Sequence, residues 1–231
     1  MKDLQAYHGN KFRVDNERDK FINNIALRSA INAAVQTRSH NHPVFSRLVV
    51  IDRRDSREEQ VLKYNRKLQV TSFWKDKLQA HALAYCIEQR DAAFFVQGVH
   101  NLQEEINGEY RHLFAGDTIR IAQCQKSLAV YLKWLWCWGK CPLEPPVCPI
   151  DRQVLNHCYR NELQKHSEED NNWRRLIARI KNEGGWGQLN RMEDYEALVN
   201  MTITVAGRHE ERVASWELRV FNDVVLDDIN E

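Results

Sequence analysis

Glycine and proline are scarce, nine and five in 231 residues. So few turn residues disfavour a sandwich of short strands and leave helices as the main element. No long apolar run is present either. The most apolar stretch, Leu128 to Gly139, carries Lys133 inside it and is about half the length a bilayer crossing needs. Charge of one sign is lacking too: 33 Lys and Arg against 32 Asp and Glu leave +1 at pH 7. Binding of a polyanion by bulk electrostatics is thereby excluded, and any such contact must come from local patches. The chain opens Met1-Lys2-Asp3-Leu4-Gln5 with no apolar segment, which predicts no secretory signal and a cytoplasmic location. Six Cys without such a signal read as reduced thiols rather than three disulfides.

What is present is ample apolar area. Hydrophobic residues make up 43% of the chain, with seven Trp, seven Tyr and eight Phe, at a mean hydropathy of −0.62. Disorder along the whole length is excluded, and the length suits one sizeable core or a core plus a small subdomain.

Helical spacing of apolar residues runs from Asp15 to Arg38 (Phe21, Ile22, Ile25, Ile31, Val35) and stops at Ser39-His40-Asn41-His42-Pro43. Phe45 to Ile51 suits a short strand or a buried helical turn. The charged loop Asp52 to Glu59 leads into a helical segment through Leu68, after which Thr71 or Ser72 is a plausible N-cap for a new helix bearing Trp74, Leu78, Ala82, Tyr85 and Cys86. Asp91 to Ile106 is a further helix ended by Asn107-Gly108. Thr118 to Trp138 is the longest apolar helix, stopped by Gly139; four prolines between Pro142 and Pro149 then force an extended connector. Asp151 opens a helix to about Lys165, Asn172 to Asn182 is a basic helix, and Gly184-Gly185-Trp186-Gly187 is a tight loop. Met201 to Ala206 suits a strand, Val213 to Phe221 suits either element, and Asp223, Asp227, Asp228 and Glu231 form an acidic tail. The expected fold is mainly α, one domain over residues 1–231 with a short β segment near its C-terminus. Its finer division is two helical lobes, 1–110 and 111–222, around a cleft.

Two lysines mark the apolar helix. Lys126 and Lys133 are seven residues apart, so they lie on nearly one face, two turns from each other. Such a lysine either snorkels to the surface or sits where desolvation lowers its pKa and makes the amine a nucleophile suited to Schiff-base chemistry. Asp151 sits at a helix N-cap position. It either caps and nothing more, or keeps an ionised carboxylate facing the cleft to stabilise a developing cation.

Lys126-Ser127-Leu128-Ala129-Val130, a connector, and then Pro149-Ile150-Asp151-Arg152-Gln153-Val154 resemble the helix-hairpin-helix DNA glycosylase superfamily, in which Pro-Val-Asp opens the helix that carries the catalytic aspartate. The match is most similar to the archaeal 8-oxoguanine glycosylase branch and spans roughly Ile121 to Cys158. The superfamily's Leu-Pro-Gly-Val-Gly hairpin is absent, and Ala115-Gly116-Asp117 stands as its only replacement. The resemblance implies a DNA glycosylase that needs no cofactor or metal and acts as a monomer on double-stranded DNA, in repair or in defence against phage DNA with modified bases. It implies Asp151 and Lys126 as catalytic residues. Lys133, which has the separation from Asp151 seen in the endonuclease III branch, is the alternative amine. Lys126 is preferred, because the positive end of a helix dipole lowers an amine's pKa.

Trp134 and Trp138 are candidates to stack on an extruded base, against a plain role as helix core. Gln125, Arg152, Arg174, Arg175 and Lys181 are candidate DNA contacts, with a solvated amphipathic face as the other account of the basic helix. Arg53, Arg54, Arg57, Lys63, Arg66 and Lys67 form a second basic region diluted by acids. His40-Asn41-His42 lacks the frame of a nuclease triplet. Cys137, Cys141, Cys148 and Cys158 with His157 match no zinc or iron–sulfur spacing.

Overall fold

The computed structural model describes residues 17–36, 43–164 and 167–220. His40-Asn41-His42 and the acidic tail lie outside the described residues. Eight helices follow in order: α1 (Glu17–Val35), α2 (Arg57–Ile87), α3 (Ala92–Tyr110), α4 (Ile121–Cys137), α5 (Arg152–His157), α6 (Glu168–Asn182), α7 (Met192–Arg208) and α8 (213–220). Among the described residues the one β feature is a single antiparallel bridge between Phe45 and Phe114, whose rings stack at 5.5 Å. No described helix is long and apolar enough to cross a membrane.

α4 is the centre of the molecule, with α1, α2 and α3 packed around it. Eleven of its residues are buried, among them the polar Gln123, Gln125 and Ser127. Each makes a specific bond inside: Ser127 accepts from the Trp74 indole at 3.1 Å, and Gln123 donates to the Gly187 carbonyl at 3.2 Å. Buried apolar side chains from Ala26 to Val220 join into one cluster.

Three expectations change. A single 31-residue helix runs from Arg57 to Ile87 where a break at Thr71 or Ser72 was expected. Its cap is Ser56, whose hydroxyl accepts from the Glu59 amide while the Glu59 carboxylate accepts from the Ser56 amide, a reciprocal capping box. Thr71 instead donates back to the Lys67 and Leu68 carbonyls, which satisfies its hydroxyl within a helix. Asn107-Gly108 does not end α3; the Asn107 side chain accepts from the Ile119 amide at 2.8 Å and donates to Thr118, fixing the link to α4. The expected β segment Met201–Ala206 is the C-terminal half of α7. Leu198, Met201, Thr202 and Val205 are buried at helical spacing, so packing overrides the β-propensity of the Thr and Val residues. The helix opened by Asp151 is also shorter than expected: α5 ends at His157 and passes into one π turn, Cys158–Glu162.

Candidate functional site

The site is built where the start of α4 meets the start of α5. The connector from Pro142 to Ile150 is extended, with Val147, Cys148, Pro149 and Ile150 buried. Gln125 fixes its end. The Gln125 amide donates to the Ile150 carbonyl at 2.6 Å and accepts from the Ile150 amide at 3.1 Å. This clamp joins the residue before Lys126 to the residue before Asp151. Gln125 is therefore not available to DNA: it is fully buried, and its role is to set the spacing of its two neighbours.

Asp151 caps α5 as the sequence predicts. Its Oδ1 accepts from the Gln153 amide at 2.9 Å and the Val154 amide at 3.3 Å. Its Oδ2 faces the other way and accepts from Lys126 Nζ at 3.0 Å. The two side chains keep 15% and 20% of their accessible surface, so the pair is shielded but open to solvent on one side. The amine and the acid converge.

A third residue covers the pair. Lys126 Nζ lies 4.6 Å from the centre of the Trp186 ring, a cation–π distance. Trp186 is delivered by the loop after α6. Gly184 and Gly185 take φ of +102° and +87° there, a backbone region that favours glycine. The loop then serves the N-terminus of α4: the Ala122 amide donates to the Leu189 carbonyl at 3.0 Å and the Ile121 amide to Asn190 Oδ1 at 3.3 Å. Arg120, the N-cap of α4, makes no side-chain cap bond, so these distant acceptors satisfy amides that a helix start leaves open.

Lys133 stands two turns along α4 and has its own carboxylate. Its Nζ donates to both oxygens of Glu217, on α8, at 3.0 and 2.8 Å. The Glu217 side chain is only 6% exposed. Burial raises its pKa above the usual carboxylate value; Lys133 opposes the rise, Asp151 adds to it and Lys126 opposes it. The four charged groups thus form one electrostatic cluster of two pairs. Cys148 lies beneath it, its thiol pushed well up by burial and by the neighbouring Glu217 carboxylate.

The remaining candidates disperse. Trp134 and Trp138 are eight and twelve residues past Lys126, which turns them roughly 80–120° around α4 and carries them about 12–18 Å along it. Trp134 is exposed, and Trp138 sits at the far end of the helix with Lys140 Nζ 5.0 Å over its ring. The ring that meets Lys126 is Trp186, which the sequence gave no reason to place there. Arg174 is occupied: it donates to the Tyr159 and Leu163 carbonyls at 2.6 and 3.1 Å and stacks 4.1 Å from the Tyr159 ring. It closes the end of the π turn. Arg152, Arg175 and Lys181 are exposed. In the second basic region Lys63 is held by Asp55 at 2.7 Å. Among the described residues no three His, Cys, Asp or Glu side chains are grouped as a metal site needs; Cys141 donates instead to the Tyr85 and Leu143 carbonyls.

Where the superfamily has its hairpin, residues 111–120 link α3 to α4. Gly116 and Asp117 there both take positive φ, +73° and +53°, and the Ala115 amide donates to the Val44 carbonyl at 2.9 Å. No protein-family model, curated protein or solved structure matches the chain.

Proposed function

We propose that the protein is a DNA glycosylase that releases a damaged or modified base from double-stranded DNA. The observation that carries this reading is the half-exposed contact between Lys126 and Asp151 at 3.0 Å, an amine and an acid on successive helices. A base in a duplex must be turned out of the stack before its glycosidic bond can be reached. As that bond breaks, its electron pair leaves with the base and C1′ becomes cationic. Asp151 Oδ2 is the anion that stabilises this charge, and its partner oxygen, tied to two backbone amides, holds the carboxylate in place for it.

C1′ is then attacked by one of two nucleophiles. Water gives an abasic site alone. Lys126 Nζ, giving its proton to Asp151 Oδ2, attacks to form a C1′–N bond; ring opening yields the Schiff base from which strand cleavage follows. Trp186, already over the amine, supplies an aromatic face for the extruded base. Exposed Arg152, Arg175 and Lys181 are the contacts to phosphate. The protein acts as a cytoplasmic monomer, on damaged bases in repair or on the modified bases of phage DNA; the same chemistry serves both settings.

The test is release of bases from a duplex panel carrying oxidised, alkylated, deaminated and hypermodified bases. The expected result is abasic sites with the wild type and none with Asp151→Asn, and a borohydride-trapped adduct absent from Lys126→Ala. Failure to form abasic sites on every substrate sinks the reading. A second reading, a helical module that binds a protein partner, draws on the exposed apolar residues Val61, Leu62, Tyr64 and Leu68 along the first half of α2.

A further inference from the structure

Lys126 and Lys133 share one face of α4, about 10 Å apart along the axis, and two carboxylates serve them. Asp151 is bound by Lys126 at 3.0 Å, and Glu217 is bound by Lys133 through both oxygens. Glu217 feels Asp151 and Lys126 as well as its own partner, so the pairs are close enough to exchange partners. A lysine side chain is flexible and carries a point charge with no fixed orientation. Without a carboxylate of its own, Lys133 is drawn to the next one along the groove, and that one is Asp151.

We propose that Glu217 is a positioning residue that selects the reactive lysine: by holding Lys133 in a two-oxygen grip it reserves Asp151 for Lys126. The inference deepens the glycosylase reading, and rests on it for the word reactive; the selection itself is a property of the protein without DNA. Three features support it. Glu217 comes from α8, on a segment 84 residues from Lys133, so the grip depends on the assembled fold. Its carboxylate is almost sealed, 6% exposed, unlike a solvated surface acid that leaves its lysine free. And Asp151 has only Oδ2 to offer a cation, because Oδ1 is spent on the α5 cap. One oxygen and two lysines require a choice.

The experiment is amine labelling of the full chain with an acetylating ester, read lysine by lysine as modification rates by peptide mass spectrometry. Glu217→Gln is expected to raise the rate at Lys133 and, through competition for Asp151, to raise it several-fold at Lys126 also. Adding Lys133→Met to Glu217→Gln removes the competitor and is expected to return Lys126 to its wild-type rate. Glu217→Asp is expected to restore much of the protection at both lysines.

A rise at Lys133 alone in Glu217→Gln overturns the proposal, since Glu217 then serves only its own partner. A Lys126 that stays exposed in the double variant overturns it equally, because loss of Glu217 has then loosened the fold rather than freed Lys133. The DNA arm separates this inference from the one beneath it. Borohydride trapping is expected at Lys126 in the wild type, with part of the adduct moved to Lys133 in Glu217→Gln. If nothing is trapped and no base is released while the labelling follows the expected pattern, the glycosylase reading falls and the selection by Glu217 stands.

Discussion

The molecule holds two aspartate–cation pairs that look alike on paper and differ in what they leave open. Asp170, on α6, meets Arg208 of α7 through both oxygens, at 2.6 and 3.1 Å, and also accepts from the Gln164 amide at 2.7 Å. Its side chain is 1% exposed. Asp151 gives one oxygen to its helix cap and the other to Lys126, and its side chain is 20% exposed. Both acids close a helix start, yet only one retains a solvent-facing oxygen with a single mobile partner. Saturated hydrogen bonding fixes a carboxylate as structure; a spare lone pair beside a flexible amine leaves room for a reaction. Sequence distance does not separate the two, since each links segments far apart in the chain. Accessibility and unspent bonding capacity do.

The comparison is sharpest where it is broken. Arg208→Ala leaves Asp170 buried without its main partner and is expected to cost about 3–5 kcal/mol. For a chain of this size that is a fall in Tm of roughly 6–20 °C, measurable by calorimetry. The pH dependence carries the same message. The Arg208 hydrogen bonds hold Asp170 below its ordinary pKa, against the opposing effect of burial. Glu162 is also depressed: burial raises it, but hydrogen bonds from His209 and His157 at 2.8 and 2.9 Å outweigh that. An acid whose folded pKa lies below its unfolded value stabilises the fold above the unfolded value and stops doing so as pH falls through the folded one. Wild type should therefore lose stability steeply below about pH 4. Arg208→Ala should lose less over the same range, because Asp170 no longer titrates far below its unfolded value. Equal acid slopes for the two proteins would show that Asp170 is not the structural acid of the pair.

Asp151→Asn is the complementary break. Asn is as good an N-cap as Asp, so the helix start survives and the Tm should move little. The carboxylate charge is gone, and base release should fall about 100- to 1,000-fold, the usual cost of removing one group that stabilises transition-state charge. The two substitutions should thus separate completely: stability without loss of chemistry at one site, chemistry without loss of stability at the other. Calorimetry and abasic-site formation on the same two proteins check it. A Tm drop in Asp151→Asn as large as that in Arg208→Ala would make Asp151 a structural acid too.

Much of the helical framework was legible in the sequence because it is local. Apolar spacing marked α1, α3 and α4, Gly139 marked the end of α4 with φ of +75°, and Asp151 after a proline-rich connector marked the start of α5. The pairing of Lys126 with Asp151 was legible for a related reason: the motif brackets a short connector, so few geometries are available. Trp186 and Glu217 were not legible, being 60 and 66 residues beyond Lys126 and Asp151 respectively in a chain with no repeat to indicate their return. Gln125 was misread because a polar residue next to a lysine resembles a surface contact, and nothing in the sequence shows that its amide matches the two backbone groups of Ile150. The β-branched run Thr202, Ile203, Thr204, Val205 misled for the opposite reason: local preference pointed to a strand, while burial on one face of α7 settled the matter.

The smallest effect concerns the cover that Asp151's pair has and Asp170's does not need. The Trp186 ring rests on Lys126 and, at a partly exposed site, contributes about 0.5–1 kcal/mol to holding the ammonium there. Trp186→Ala removes that contact while the backbone of the loop still donates and accepts at α4, because the bonds from Ala122 and Ile121 go to Leu189 and Asn190. Stability should therefore change by about 1 kcal/mol or less. Lys126 should become more accessible, with faster acetylation at that lysine and no change at Lys133, whose grip by Glu217 does not involve the loop. The effect on base release goes further than the effect on the amine. If the ring only shields Lys126, losing it leaves turnover intact. If it also supports the extruded base, KM rises and kcat holds, since stacking is made before the bond breaks and is kept through it. A fall in kcat at unchanged KM would place Trp186 with Asp151 among the groups that act on the transition state, and would move the boundary of the reactive site one residue outward from the ion pair.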